Sequence, residues 1–366
     1  MLRVLVVDDS PVSRDVLCEI LASDPGIELV GVAKDGIEAV ERTRELRPDV
    51  ITMDVEMPRL DGYAATEEIM IAEPTPIVVV SGSMSRPDIE KSMNSLRAGA
   101  LTVIGKPPSP QSPEFESAAA MLIETVKTMA HVKVIRRHRR KAAAPKRTSR
   151  ASSGEVDRRR HFDVVAVAAS TGGPPALLRI LSGLTADFPL PILVVQHISA
   201  GFSNGFARWL DVSVSLRVKV ADDREPLVAG TVYVAPEDTH LGVGSQQRIA
   251  LSDHAPVEGF RPSATVLFES VAQSFGQTTL ALILTGMGCD GVEGLRAVRH
   301  AGGQVIAQNE ATCVVYGMPG AAVEAHLADR VLPLDDIASV LDVVGRRALR
   351  DRQVDSATPP CDAEGV

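Results

Sequence analysis

Three aspartates, a serine and a lysine near the start of the chain fall where they can share one charge-rich site. Asp8 and Asp9 follow the apolar run "RVLVV", and Asp54 follows "DVITM". Ser81 closes "PIVVVSG", and Lys106 follows "ALTVIG". If those runs are neighbouring parallel strands, all five side chains converge at one sheet edge. Carboxylates that close together need a cation, and oxygen ligands without thiol or imidazole suit Mg²⁺. Such a site can take a phosphoryl group: a carboxylate attacks while the metal and the ammonium neutralise its oxygens. Each aspartate alone reads equally as a turn former or helix cap. Five residues of fitting type at matching strand ends favour the shared site.

A second constellation begins at "VVAVAASTGGPPALLR", Val164 to Arg179. It reads as a strand, a small-residue turn and a helix start. A phosphate-binding loop is excluded by composition: no lysine precedes Ser170–Thr171, and G-x-G-x-x-G is absent. The next strand run, "PILVVQHIS", ends in His197, and "ALILTGMGCDG" carries Asp290 in a glycine-rich turn. Serine, histidine and aspartate at three strand ends are the parts of a nucleophile, base and orienting group. Each also has a plain reading: Ser170 as a helix cap, His197 as a packed strand-end histidine, Asp290 as a turn aspartate. His240 in "VAPEDTHLG" and His254 are rival bases, and the residues by themselves favour His197 only weakly.

The elements that must position these groups alternate in both halves. Residues 1–136 read as five β-α units, the last helix over "SPEFESAAAMLIETVKTMAHVKVI" with Phe115, Ala119, Leu122, Val126 and Met129 on one face, Ser112 as cap and Pro113 at its first turn. Residues 137–160 hold ten Lys/Arg against Glu155 and Asp157, which reads as a basic flexible linker, with a docking arm for an acidic partner as the alternative. A second α/β pattern runs over 161–348, with "RIALSD" as an edge hairpin, and 349–366 read as a disordered tail. The prediction is two doubly wound parallel-sheet domains. The net charge of −9 argues against bulk nucleic-acid binding, leaving room for a local basic patch, and no apolar run is long enough to span a membrane. No helix-turn-helix pattern is visible, and the 3% aromatic content leaves few side chains to stack on bases. Cys18, Cys289, Cys313 and Cys361 lie far apart without C-x-x-C, which fits a reducing, cytoplasmic setting and no zinc site.

"LVVDDSPVSR", "MDVEMPRLDG", "VVVSG" and "GKP" resemble the receiver domain of two-component response regulators. The resemblance implies a flavodoxin-like (βα)5 fold and phosphorylation on Asp54. It implies Mg²⁺ on Asp8, Asp9, Asp54 and the backbone carbonyl of Glu56, with Ser81 and Lys106 on the phosphoryl oxygens. Receivers usually carry Tyr or Phe three residues before that lysine; Val103 stands there instead. "ASTGGPPAL", "VVQHISAGFSNGFARWL", "VYVAPEDTHL", "FRPSATVLFESVA", "LTGMGCDG" and "IAQNEATCVVYGMPGAA" resemble the catalytic domain of chemotaxis protein-glutamate methylesterases, the CheB family. That resemblance implies a Rossmann-like domain with an antiparallel edge hairpin and a Ser170–His197–Asp290 triad. Thr171 would bond His197, and the Met287 backbone N–H would hold the oxyanion. It implies hydrolysis of glutamyl methyl esters on chemoreceptors, deamidation of certain receptor glutamines, no cofactor for the esterase, and phosphorylation by a chemotaxis histidine kinase. Thr265 and Asn309 stand where the family pattern has, respectively, usually and often aspartate. Two other functions remain: the same chemistry on receptor-like proteins of a non-flagellar pathway, and a non-enzymatic two-component output.

Overall fold

The computed structural model describes residues 1–82, 86–132, 134, 160–199 and 201–357. Apart from Arg160, the expected linker 137–160 lies outside the described residues, as do the last residues of the expected tail. The chain divides into two compact units, one built on a five-stranded sheet and the other on a seven-stranded sheet.

The first unit runs β1 (Leu2–Val7), α1 (Pro11–Ala22), β2 (Ile27–Ala33), α2 (Gly36–Leu46), β3 (Val50–Met53), α3 (Gly62–Ala72), β4 (Ile77–Ser81), α4 (Arg86–Ala98), β5 (Thr102–Gly105) and α5 (Phe115–Ala130). Its strands are parallel in the order β2-β1-β3-β4-β5. Helices cover both faces of such a sheet, so strands β3 and β4 are fully buried apolar runs. The loops switch chain direction with capping side chains: the Asp35 carboxylate accepts from the Ile37 and Glu38 N–H groups at 3.0 Å, and Asp61 from Ala64 N–H at 2.8 Å. The start of α5 differs from expectation. It begins at Phe115 without a side-chain cap, and Ser112 Oγ instead accepts from Glu114 N–H in the preceding turn. Leu122, Val126 and Met129 form its buried face as the spacing predicts.

The chain from residue 164 to 357 runs β6 (Val164–Ala169), α6 (Gly173–Leu181), β7 (Ile192–Gln196), α7 (Ser203–Asp211), β8 (Arg217–Val220), β9 (Thr231–Val234), β10 (His240–Val243), β11 (Ile249–Ser252), α8 (Ala264–Phe275), β12 (Thr279–Ile283), α9 (Val292–His300), β13 (Gln304–Gln308), α10 (Met318–Glu324), β14 (Arg330–Leu332) and α11 (Leu334–Ala357). The sheet is parallel throughout, in the order β14-β13-β12-β6-β7-β9-β8. The expected hairpin exists as β10-β11, antiparallel, but as a separate two-stranded sheet rather than an edge of the large one. It packs into the core instead: Leu241, Val243 and Ile249 join Leu267, Phe268 and Val271 of α8 under the sheet. Gly294 lets α9 cross α8 closely, because a Cβ there would lie 2.5 Å from the Thr265 carbonyl oxygen. Helix α11 runs on to Ala357, into the segment expected as a disordered tail. No proline interrupts it before Pro359, so helix propagation has no early stop.

Candidate active site and phosphoryl-acceptor site

In the first unit the acidic cluster forms at the C-terminal ends of adjacent strands β1 and β3. Carboxylate oxygens of Asp8, Asp9 and Asp54 lie within 4.8 Å of one another, with Asp8 and Asp54 buried and Asp9 exposed. Lys106 Nζ reaches Asp8 Oδ2 at 2.7 Å and Asp54 Oδ2 at 2.8 Å. Burial pushes the Asp54 carboxyl up from its ordinary range, Asp8 adds to this, and Lys106 opposes it. Burial alone would lower the Lys106 ammonium, but its bonds to Asp54 and Asp8 win and hold it above the usual lysine value. One ammonium thus serves two buried carboxylates, with a third beside them. A hard divalent cation on oxygen donors fits that set. Asp8 is further fixed by Ser13 Oγ–H at 2.6 Å and Ser10 N–H at 3.0 Å. Ser81 ends β4 beside β5, and Lys106 N–H donates to its carbonyl at 2.9 Å. The Glu56 side chain faces outward to Lys91 at 3.3 Å. Val103 is buried in β5, at 6% exposure, in the position where receivers carry an aromatic ring.

In the seven-stranded sheet, β12, β6 and β7 are consecutive neighbours. Ala169 pairs with Gln196, so Ser170 and His197 leave adjacent strands at the same level. Ile283 pairs with Ala168, so the chain leading to Met287 and Asp290 departs beside them. Ser170, Thr171, His197 and Met287 are half-buried, and Asp290 is fully buried. Ser170 opens a turn closed by Gly173 N–H donating to its carbonyl at 2.8 Å, which leads directly into α6.

The loop carrying Met287 is braced from the following segment. Gly286 N–H donates to Val315 O at 3.1 Å, while Gly317 and Met318 N–H groups donate to Gly286 O at 3.0 and 2.9 Å. This close approach needs glycine: a Cβ on Gly317 would stand 2.7 Å from Gly286 O and 3.1 Å from Met287 Cα. Buried Gln308 anchors the same loop, accepting from Thr285 N–H at 2.9 Å and donating to Thr312 O at 2.7 Å.

Asp290 lies at the N-terminus of α8. Its carboxylate accepts from Ser263 Oγ–H at 2.8 Å, Ala264 N–H at 2.7 Å and Thr265 N–H at 3.2 Å. The rival base His240 is 1% exposed; its Nδ1 accepts from Ser263 N–H at 3.2 Å and its Nε2 faces Ala255 O at 3.2 Å. A carbonyl partner requires the proton on Nε2, so both nitrogens are engaged in structural bonds. His254 is exposed, and its carbonyl accepts from Arg261. The sequence pattern assigns Ser263 no role. Its signal was only its place in "FRPSATVL", and its contact with Asp290 spans a sequence separation of 27.

Two family models match the chain: the response regulator receiver domain over residues 4–112 and CheB methylesterase over residues 165–341. Protein-glutamate methylesterase/protein-glutamine glutaminase 4 of Myxococcus xanthus is 53% identical over 93% of this chain and 96% of its own. Protein-glutamate methylesterase/protein-glutamine glutaminase 3 of Anaeromyxobacter dehalogenans is 52% identical over 95% of this chain and 100% of its own. The chain belongs to the CheB methylesterase family. The solved CheB methylesterase catalytic domain of Thermotoga maritima is 40% identical, covering 50% of this chain and 97% of that one at a TM-score of 0.49.

The two departures from the CheB family pattern have visible local roles. Thr265 Oγ1 accepts from Gly291 N–H at 3.0 Å, so a neutral hydroxyl rather than a second carboxylate stands beside Asp290. Asn309 Oδ1 accepts from Thr312 N–H at 3.2 Å and Thr312 Oγ1–H at 2.7 Å. An amide oxygen fills that acceptor role as an aspartate would.

Proposed function

We propose that this protein hydrolyses glutamyl methyl esters on the cytoplasmic helices of methyl-accepting chemotaxis receptors, releasing methanol, and deamidates certain receptor glutamines. The observation that carries the reading is the alignment of β12, β6 and β7, which bring Asp290, Ser170 and His197 out at neighbouring strand ends. Ser170 Oγ attacks the ester carbonyl and His197 takes its proton. The Met287 N–H holds the oxyanion, with Thr171 supporting His197. The tetrahedral intermediate expels methanol, which carries away the proton from His197. Water, deprotonated by His197, then attacks the acyl-enzyme, and Ser170 recovers its proton as the glutamate leaves. With a glutamine substrate the first leaving group is ammonia. Asp290 keeps the imidazole in the productive tautomer and offsets its charge when protonated. The esterase chemistry uses only these side chains and water.

Residues 1–136 act as the receiver, 137–160 as the linker and 161–348 as the catalytic domain of a cytoplasmic protein that neither enters the membrane nor binds nucleic acid. Among the described residues no helix is long and apolar enough to cross a membrane. A chemotaxis histidine kinase phosphorylates Asp54. Asp8, Asp9, Asp54 and the Glu56 carbonyl would hold Mg²⁺, which would supply charge neutralisation for the phosphoryl oxygens. Ser81 and Lys106 bind those oxygens and transmit the change. With Val103 in place of an aromatic, Ser81 and the backbone carry the switch. Methanol release from methylated receptor membranes, with and without acetyl phosphate, tests both halves: release stimulated by the phosphodonor supports the reading, and its absence refutes it.

A further inference from the structure

The catalytic aspartate is held from behind by a chain of buried bonds that reaches the second histidine. His240 Nδ1 accepts from Ser263 N–H at 3.2 Å, and Ser263 Oγ–H donates to Asp290 Oδ1 at 2.8 Å. Ser263 Oγ in turn accepts from Thr265 N–H at 3.1 Å, which fixes the hydroxyl proton toward Asp290. His240, Ser263 and Asp290 are all buried, at 1%, 0% and 0% exposure. A hydroxyl so constrained cannot turn to water. It serves two ends at once: it caps α8 and it sets one carboxylate oxygen of Asp290.

We propose that Ser263 and His240 are positioning residues for the triad: His240 anchors the Ser263 backbone, and the Ser263 hydroxyl fixes the Asp290 carboxylate that orients His197. This rests on the Ser170–His197–Asp290 reading and extends it one layer outward. The physical logic is that of outer partners elsewhere. A carboxylate can orient an imidazole only if its own rotation is fixed, and a short charge-assisted bond from a buried hydroxyl fixes it. The arrangement also explains a second buried histidine beside the site with both nitrogens bonded to backbone. Its tautomer is set by Ala255 O on one side, which leaves Nδ1 as an acceptor for Ser263.

A double-mutant cycle on the full-length protein tests this, with kcat and KM for methanol release from methylated receptor membranes and a thermal melt of each variant. Ser263→Ala lowers kcat about tenfold or more, the worth of one bond to a charged group, with KM unchanged. In an Asp290→Asn background the same change costs little further, because the group it acts through is already gone. An equal fold-loss in both backgrounds would overturn the proposal and leave Ser263 as a helix cap alone. His240→Asn, whose Oδ1 stands where Nδ1 stood, retains more kcat than His240→Gln; the reverse order overturns the part assigned to His240. The two failures are separable: an Asp290→Asn variant as active as wild type would refute the triad, whereas an inactive one beside a fully active Ser263→Ala refutes only this extension.

Discussion

Ser170 sits in a turn, so Ser170→Ala costs about 1 kcal/mol of stability or less while removing the proposed nucleophile. The expected result is a melt close to wild type and methanol release below a tenth of the native rate; a higher rate contradicts the assignment. His197→Gln is expected to be as inactive. His240→Gln stays well above it, because His240 bonds backbone on both nitrogens and lies outside the proton path. The cysteines give a prediction independent of substrate. Burial pushes the Cys313 thiol up to about 12, so at pH 8 only about one in ten thousand is thiolate. Iodoacetamide at pH 8 should leave Cys313 unmodified in the native protein while labelling exposed Cys289, as read by peptide mass spectrometry. Labelling of Cys313 ahead of Cys289 contradicts the burial argument. At this scale the sequence displayed the candidate reacting groups but not the side chain that holds Asp290. Ser170, His197 and Asp290 stand at the ends of apolar runs, whereas Ser263 meets Asp290 only once α8 packs against the loop after β12.

At the scale of elements, the buried parallel strands were legible because their apolar runs are continuous and bounded by turn residues. The edge strands β8 and β14 were not, since "RVKV" and "RVL" are short and partly charged, as edge positions allow. The hairpin was legible as a hairpin, but its partner in packing was not. Its burial against α8 depends on Leu241, Val243 and Ile249 meeting side chains that lie far along the chain. The brace on the Met287 loop is a similar long-range feature. Gly317→Ala would push a methyl toward Gly286 O, now 2.7 Å from the ideal Cβ position, and shift the Met287 loop, whose N–H is the proposed oxyanion donor. Its kcat is expected to fall about a hundredfold, the scale of losing one oxyanion donor, while the protein remains folded. An unaltered kcat would show that the loop does not set the donor. At the first sheet, Asp54→Asn should abolish labelling by acetyl phosphate, and EDTA should do the same to the native protein, because the carboxylates around Lys106 need a further cation. Labelling that survives both contradicts the site.

At the scale of the molecule, a phosphoryl-acceptor unit and a hydrolase unit share one chain, and their coupling is the function that neither sheet displays alone. A regulatory unit fused to an enzyme can restrain it until phosphorylation lifts the restraint. Residues 161–350 alone are then expected to exceed the unphosphorylated full chain in rate, and a slower isolated domain would point to positive stimulation instead. The most direct measurement is methanol release from methylated chemoreceptor membranes by the full-length protein, its Ser170→Ala variant and its Asp54→Asn variant, each with and without acetyl phosphate and Mg²⁺. The account predicts release by the native protein that rises with the phosphodonor, no release by Ser170→Ala, and basal, unstimulated release by Asp54→Asn. Release by Ser170→Ala above a tenth of the native rate, or stimulation that persists in Asp54→Asn, would contradict it.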